Sequence, residues 1–120
     1  MYCPLSPIPS LRTGNAFRHV YQRGRYTAGP LFVLYMKAHG EAESPDTPRL
    51  GLSVSKKVGN AVTRNRVKRL VKESCRLRTL APGYDYVVVA RPAAGALPRT
   101  GAFAQVDRAL GDLLKRMKAK

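Results

Sequence analysis

Nine of the 22 basic residues fall between Lys56 and Arg78, a window that holds a single acid, Glu73. Lys56 and Lys57 stand together, Asn60 follows, and Arg64, Asn65, Arg66, Lys68, Arg69 and Lys72 recur at close intervals. The chemistry such a set can do is phosphate binding: ammonium and guanidinium groups donate charge-assisted hydrogen bonds to anionic oxygens. Solvated helix faces ordinarily interleave both signs, because opposite charges at i,i+4 attract and like charges repel. A one-signed face costs the free protein stability and points to an absent anionic partner.

Hydrolytic groups are not gathered in the same way. Asp85, Asp107 and Asp112 are scattered without a shared motif, whereas metal-dependent nucleases cluster carboxylates around one or two Mg²⁺ ions. There is no Gly-rich phosphate loop and no Ser/His/Asp or Cys/His constellation with a clear helper. Cys3, Cys75, His19 and His39 offer neither zinc-ligand spacing nor a disulfide framework, and the two thiols read as reduced cysteines of a cytosolic protein. Glu41, Glu43 and Asp46 lie among Gly40, Pro45 and Pro48; that segment reads as a solvated hairpin loop, with a carboxylate metal site as the lesser alternative.

Composition agrees with a polyanion-binding domain. At 120 residues, 44% apolar and 24% charged, the chain is long enough for one core. Its formal net charge of +15 makes nucleic acid the first partner to consider and an anionic membrane surface the second. No stretch approaches the ~18 apolar residues of a membrane span, and the apolar face of the basic helix lacks the bulky aromatics of an interfacial helix. Residues 1–10, broken by three prolines, read as an irregular leader without secretory character, and 11–120 as a single RNA-binding domain.

Six elements, with a further strand left open, are expected to position these groups. A helix from Thr13 places Phe17, Val20 and Tyr21 on one face, with Gly24 as a left-handed stop. Leu31–Met36 is a strand; Arg49–Ser55 alternates Leu50, Leu52 and Val54 with small residues and pairs naturally with it across the intervening loop. A helix over 61–78 carries Val67, Leu70, Val71 and Ser74 on one face, with Thr63 a turn earlier. Asn65, Arg66, Lys68, Arg69, Lys72 and Arg76 are expected opposite. Tyr84–Ala90 reads as a strand buried on both faces, joined to Arg49–Ser55 by a β-α-β crossover. Residues 91–99 read as a loop, and Thr100 as the N-cap of a last helix burying Phe103, Val106, Leu110, Leu113, Leu114 and Met117. The order is α-β-β-β-α-β-α if a further strand lies beside Leu31–Lys37, and one strand fewer otherwise.

Phe17, Tyr21 and Tyr35, taken singly, read as core residues. Beside basic groups, a tyrosine can also stack an unpaired base while its hydroxyl stays wet, which favours single-stranded over duplex nucleic acid.

The run from Gly51 to Glu73, GLSVSKKVGNAVTRNRVKRLVKE, resembles the signature of the protein subunit of bacterial ribonuclease P, with Arg64-Asn65-Arg66 at its centre. Phe17 to Gly24, Phe32 to Tyr35 and Tyr84 to Pro92 resemble the family's first helix, early strand and last strand. The likeness covers roughly residues 11–116. It implies an α+β fold: an α/β sandwich with a mixed four-stranded sheet and a left-handed β-α-β crossover, ribosomal protein S5 domain 2-like. That hand runs against the right-handed rule and comes from the resemblance alone.

The resemblance further implies a cytoplasmic protein that joins ribonuclease P RNA, itself the catalyst, to remove the 5′ leader of precursor tRNA. Mg²⁺ is then bound mainly by that RNA, and no obligate protein partner or membrane is expected. Carried over by position, Lys56, Lys57, Asn60, Arg64, Asn65, Arg66, Lys68, Arg69 and Lys72 would contact the catalytic RNA, and Phe17, Tyr21 and Tyr35 would line the leader cleft. No catalytic residue is expected in the chain. The nearly uncharged first ten residues depart from the basic arm of the family. A ribosomal or ribosome-associated RNA-binding protein fits charge and size equally well; the Lys56–Lys72 motif separates the two. A self-contained nuclease fails on the missing metal ligands.

Overall fold

The computed structural model describes residues 14–38, 49–77, 84–98 and 100–119. In chain order these form α1 (Gly14–Arg23), β1 (Arg25–Ala28), β2 (Phe32–Ala38), β3 (Arg49–Ser53), α2 (Ala61–Arg76), β4 (Tyr84–Ala90), a 3-10 helix (Pro92–Ala96) and α3 (Ala102–Ala119). The leader expected over 1–10 and the acidic hairpin loop over 39–48 lie outside the described residues.

The strand left open by the sequence is β1. Only Thr27 of its four residues is buried, so it lacks the apolar alternation that announces a strand. It forms because β2 supplies a ladder, pairing Arg25 to Ala28 with Met36 to Val33 antiparallel. Gly24, which joins α1 to β1, is not left-handed as expected; among the described residues only Gly59 and Gly101 have positive φ. Its need for hydrogen at Cα is steric: a Cβ would lie 2.5 Å from the Val20 carbonyl oxygen and 2.8 Å from that of Met36.

The sheet runs β1-β2-β4-β3, which corrects the expected pairing of β3 with β2. β4 enters between them, antiparallel to β2 and parallel to β3. The physical reason lies in the composition of β4: Asp85 to Val88 are all buried, and a strand apolar on both faces is stable only at a position covered on both. A parallel pair needs a long crossover, which α2 provides.

Alternation assigns the two faces. Phe32, Leu34, Leu50, Tyr86, Val88 and Ala90 point into the main core, closed by Val67 and Val71 of α2 and by Val106, Leu110, Leu113 and Met117 of α3. On the other face, Val20 of α1 meets Val87, flanked by Phe17, Tyr35 and Val89. Ser74 sits fully buried, its hydroxyl donating to the Asp107 carboxylate at 2.7 Å between α2 and α3.

Several boundaries differ from expectation: β2 runs Phe32–Ala38 instead of Leu31–Met36, and β3 ends at Ser53 instead of Ser55. α2 stops at Arg76, with Leu77 as C-cap. The 91–99 segment is not wholly a loop, since Pro92 opens a 3-10 helix. α3 begins at Ala102, and Gly101 (φ +82°), not Thr100, precedes it; the Gly101 carbonyl accepts the Gln105 N–H at 3.2 Å.

Gly24→Ala is expected to destabilise the protein by about 1–3 kcal/mol, the usual range for forcing an added group into a filled space. Urea denaturation checks it, and stability equal to that of the parent chain would refute the steric reading.

Candidate nucleic-acid interface

α2 is started by its own side chain. The Asn60 Oδ1 accepts the Thr63 N–H at 2.9 Å, satisfying one of the orphan donors of the first turn. Asn60 therefore serves as a cap as well as standing in the basic segment. Beyond it, Asn65, Arg69 and Lys72 are exposed, as are Lys56 and Lys57 in the preceding turn, while Arg64, Arg66 and Lys68 are half-buried. Glu73, the single acid of α2, bonds Arg76 at 2.7 Å. No carboxylate within the helix is left for Lys68, Arg69 or Lys72.

Arg66 departs from the expected outward stripe. At ~100° per residue it lies a quarter-turn round the helix from Asn65, facing the segment that follows the 3-10 helix. Its Nη1 donates to the Leu97 carbonyl at 3.0 Å and its Nη2 to the Pro98 carbonyl. Arg64 lies on the opposite flank, with its Nε buried and making no hydrogen bond among the described residues.

The 3-10 helix in turn supports the lysine turn. A Cβ on Gly95 would fall 1.8 Å from the Val58 carbonyl oxygen, so the two backbones touch directly. Val58 is itself buried and sits between Lys57 and Gly59. Arg66 thus ties the 3-10 helix to α2, and the 3-10 helix braces the turn that presents Lys56 and Lys57.

Phe17, Tyr21 and Tyr35 come together although they arise from a helix and a strand. The Tyr21 and Tyr35 rings meet edge to face at 4.8 Å, and Phe17 lies 6.3 Å from Tyr21. A fourth ring, Tyr26 of β1, stands 5.5 Å from Tyr35 at an interplanar angle of 31°. Tyr26 was not legible as a site residue because its strand was not; the register Tyr26–Tyr35 carries it there.

Register also fixes where the aromatic residues stand on the sheet relative to β3, from whose end the basic turn departs. Tyr26, Tyr35, Val87 and Gly51 form one cross-sheet row, and Ala28, Val33, Val89 and Ser53 the next. Two strand spacings, about 10 Å, separate β2 from β3. Small residues floor the β3 side, and the turn with Lys56 and Lys57 departs just beyond Ser53. The rings of α1, β1 and β2 therefore form one aromatic strip on this face, a trough able to stack an unpaired strand, and the basic turn leaves the sheet at its β3 edge.

A carboxylate cage is not part of this face. Asp85 is buried and held by Arg49 through two 2.7 Å hydrogen bonds, Nε to Oδ1 and Nη2 to Oδ2. Asp107 is engaged by Ser74. Among the described residues no group of three potential ligands could hold a metal ion, and no helix is long and apolar enough to cross a membrane. A separate cleft of about 390 Å³, lined by Leu31, Arg108, Leu113 and Arg116 among others, lies on the α3 side of the sheet.

The family model for ribonuclease P matches residues 6–118. The chain belongs to the ribonuclease P protein family. The ribonuclease P protein component of Clostridium perfringens is 44% identical over 112 residues, covering 89% of this chain and 86% of that one. That of Clostridioides difficile is 39% identical over 109 residues, covering 88% and 89%. Among solved structures, the Staphylococcus aureus RNase P protein superposes with a TM-score of 0.78 at 32% identity, covering 91% of this chain and 94% of that one. The Thermotoga maritima RNase P protein gives 0.76 at 31% identity, covering 89% and 96%. The mixed four-stranded sheet is therefore the ribonuclease P protein fold, and a ribosomal protein is not the favoured alternative.

Gly95→Ala tests the brace. It removes no charge, yet it should loosen the 56–60 turn, seen as faster amide hydrogen exchange at Lys57 and Val58 with the sheet amides unchanged. Unaltered exchange in that turn would show that the contact is not a support.

Proposed function

We propose that this chain acts as the protein subunit of ribonuclease P, binding the catalytic RNA through its basic turn and α2 and the 5′ leader of precursor tRNA in the aromatic trough. The observation that supports this most directly is the grouping of four rings on β1, β2 and α1, with a lysine turn leaving the far edge of the same sheet.

In this reading Lys56, Lys57, Arg64, Asn65, Lys68, Arg69 and Lys72 meet the phosphates and sugars of the catalytic RNA. Asn60 and Arg66 belong to the same surface, and they also hold the shape of the groups that bind. Phe17, Tyr21 and Tyr35 stack leader bases, each worth about 1–3 kcal/mol by comparison with other single-strand binders. The chain supplies binding and orientation; the phosphodiester is cleaved in the RNA.

Mg²⁺, which neutralises charge at the scissile phosphate, is bound mainly by the RNA in this account. Of the described carboxylates, Asp85, Asp107 and Glu73 are engaged by Arg49, Ser74 and Arg76, and Asp112 belongs to no group of three potential ligands, so no step is assigned to a metal on this chain. The setting is the cytoplasm, where precursor tRNA is made.

Reconstitution decides the main point: added to a ribonuclease P RNA at low Mg²⁺, the protein should restore cleavage of precursor tRNA, and failure to do so would overturn the reading. Two substitutions divide the surface. Arg69→Ala should weaken binding to the catalytic RNA and lower the salt slope by about one unit, as expected for one lost phosphate contact; an unchanged slope at full affinity removes Arg69 from the interface. Tyr35→Ala should weaken binding of leader-bearing precursor and spare mature tRNA, whereas equal losses for both would mark Tyr35 as a core residue only.

A further inference from the structure

Tyr26 occupies an unusual place for an aromatic residue. It is 58% exposed, more than Tyr21 at 39%, and it belongs to a four-residue strand at the edge of the sheet. Exposed edge strands are ordinarily blunted by charge, proline or bulges, because an apolar edge invites association. Here a large ring is displayed instead, inclined by 31° to Tyr35 at a centroid distance of 5.5 Å. That distance lies within the contact range of aromatic pairs and is too short for coplanar neighbours, so the two rings overlap at an offset and carry the aromatic strip out to the β1 edge.

From this geometry we infer that Tyr26 builds an additional subsite for one unpaired nucleobase, lengthening the stacking platform beyond Phe17, Tyr21 and Tyr35 toward the β1 edge. The inference rests on the reading of the trough as the leader site. The ligand class follows from the ring: a π-face accepts any base, so the subsite is sequence-tolerant. A purely structural role for Tyr26 is the competing explanation, since a cross-strand aromatic pair contributes about 0.2–1 kcal/mol to a sheet.

The two roles separate with paired substitutions. Tyr26→Val keeps a β-forming residue and removes the ring; Tyr26→Phe keeps the ring. Affinity is measured for the protein reconstituted with catalytic RNA, using precursor tRNAs whose leaders lengthen one nucleotide at a time, with Tyr35→Ala run alongside. In the parent, affinity rises with leader length and then levels off. Tyr26→Val should level off one nucleotide earlier and lose about five- to tenfold on the longest leaders, the low end of what one stacked base contributes. Tyr26→Phe should restore both. If Tyr35→Ala flattens the series while Tyr26→Val leaves it untouched, the subsite is refuted and the trough reading survives. If neither variant alters the dependence on leader length, both fall together. Should Tyr26→Val weaken every substrate equally, mature tRNA included, its role is structural and the proposal is overturned.

Discussion

Positive charge on α2 is not balanced from within the helix, and the rest of the molecule is organised around that fact. Glu73 is taken by Arg76, so Lys68, Arg69 and Lys72 face one another at i,i+3 and i,i+4, where like charges cost a few tenths of a kcal/mol per pair. The apolar stripe on the inner side, with Val67 and Val71 almost fully buried, holds the helix in place against that repulsion. A scaffold able to carry such a load holds its basic groups in position in advance of any anionic partner.

The sheet is divided between stability and binding by one strand. β4 lies at the interior of the sheet, and Val88 faces the core that α2 and α3 close. Val87, one residue earlier, faces α1 and the rings. Any shift of register by one residue would exchange these faces. The bidentate Arg49–Asp85 pair joins β3 to β4 directly, and because Asp85 is buried, loss of Arg49 would leave its charge uncompensated.

Periodic segments were the legible ones. α2, α3 and β4 announce themselves through apolar spacing, and the basic residues between Lys56 and Lys72 stand out as a one-signed segment before any fold is known. What stayed hidden was decided by tertiary partners. β1 exists because β2 offers it a ladder; with Thr27 as its single buried residue, it carries little signal of its own. The pairing of β3 with β4 depends on which strand can tolerate two covered faces, a comparison that local alternation does not make. Tyr26 was lost with its strand, and the inward turn of Arg66 depends on carbonyls 31 and 32 residues away. Gly24 was recognised as special for the wrong reason, handedness instead of close approach.

In the proposed role, the one-signed face of α2 costs the free protein stability and RNA relieves that cost. The most direct measurement is the melting temperature of the free protein at low salt, compared with a variant carrying Lys68→Gln, Arg69→Gln and Lys72→Gln, each also tested for binding to the catalytic RNA. The account predicts that the variant melts higher than the parent when free and binds the RNA far more weakly. A variant that melts lower, or that binds the RNA as tightly as the parent, would contradict it.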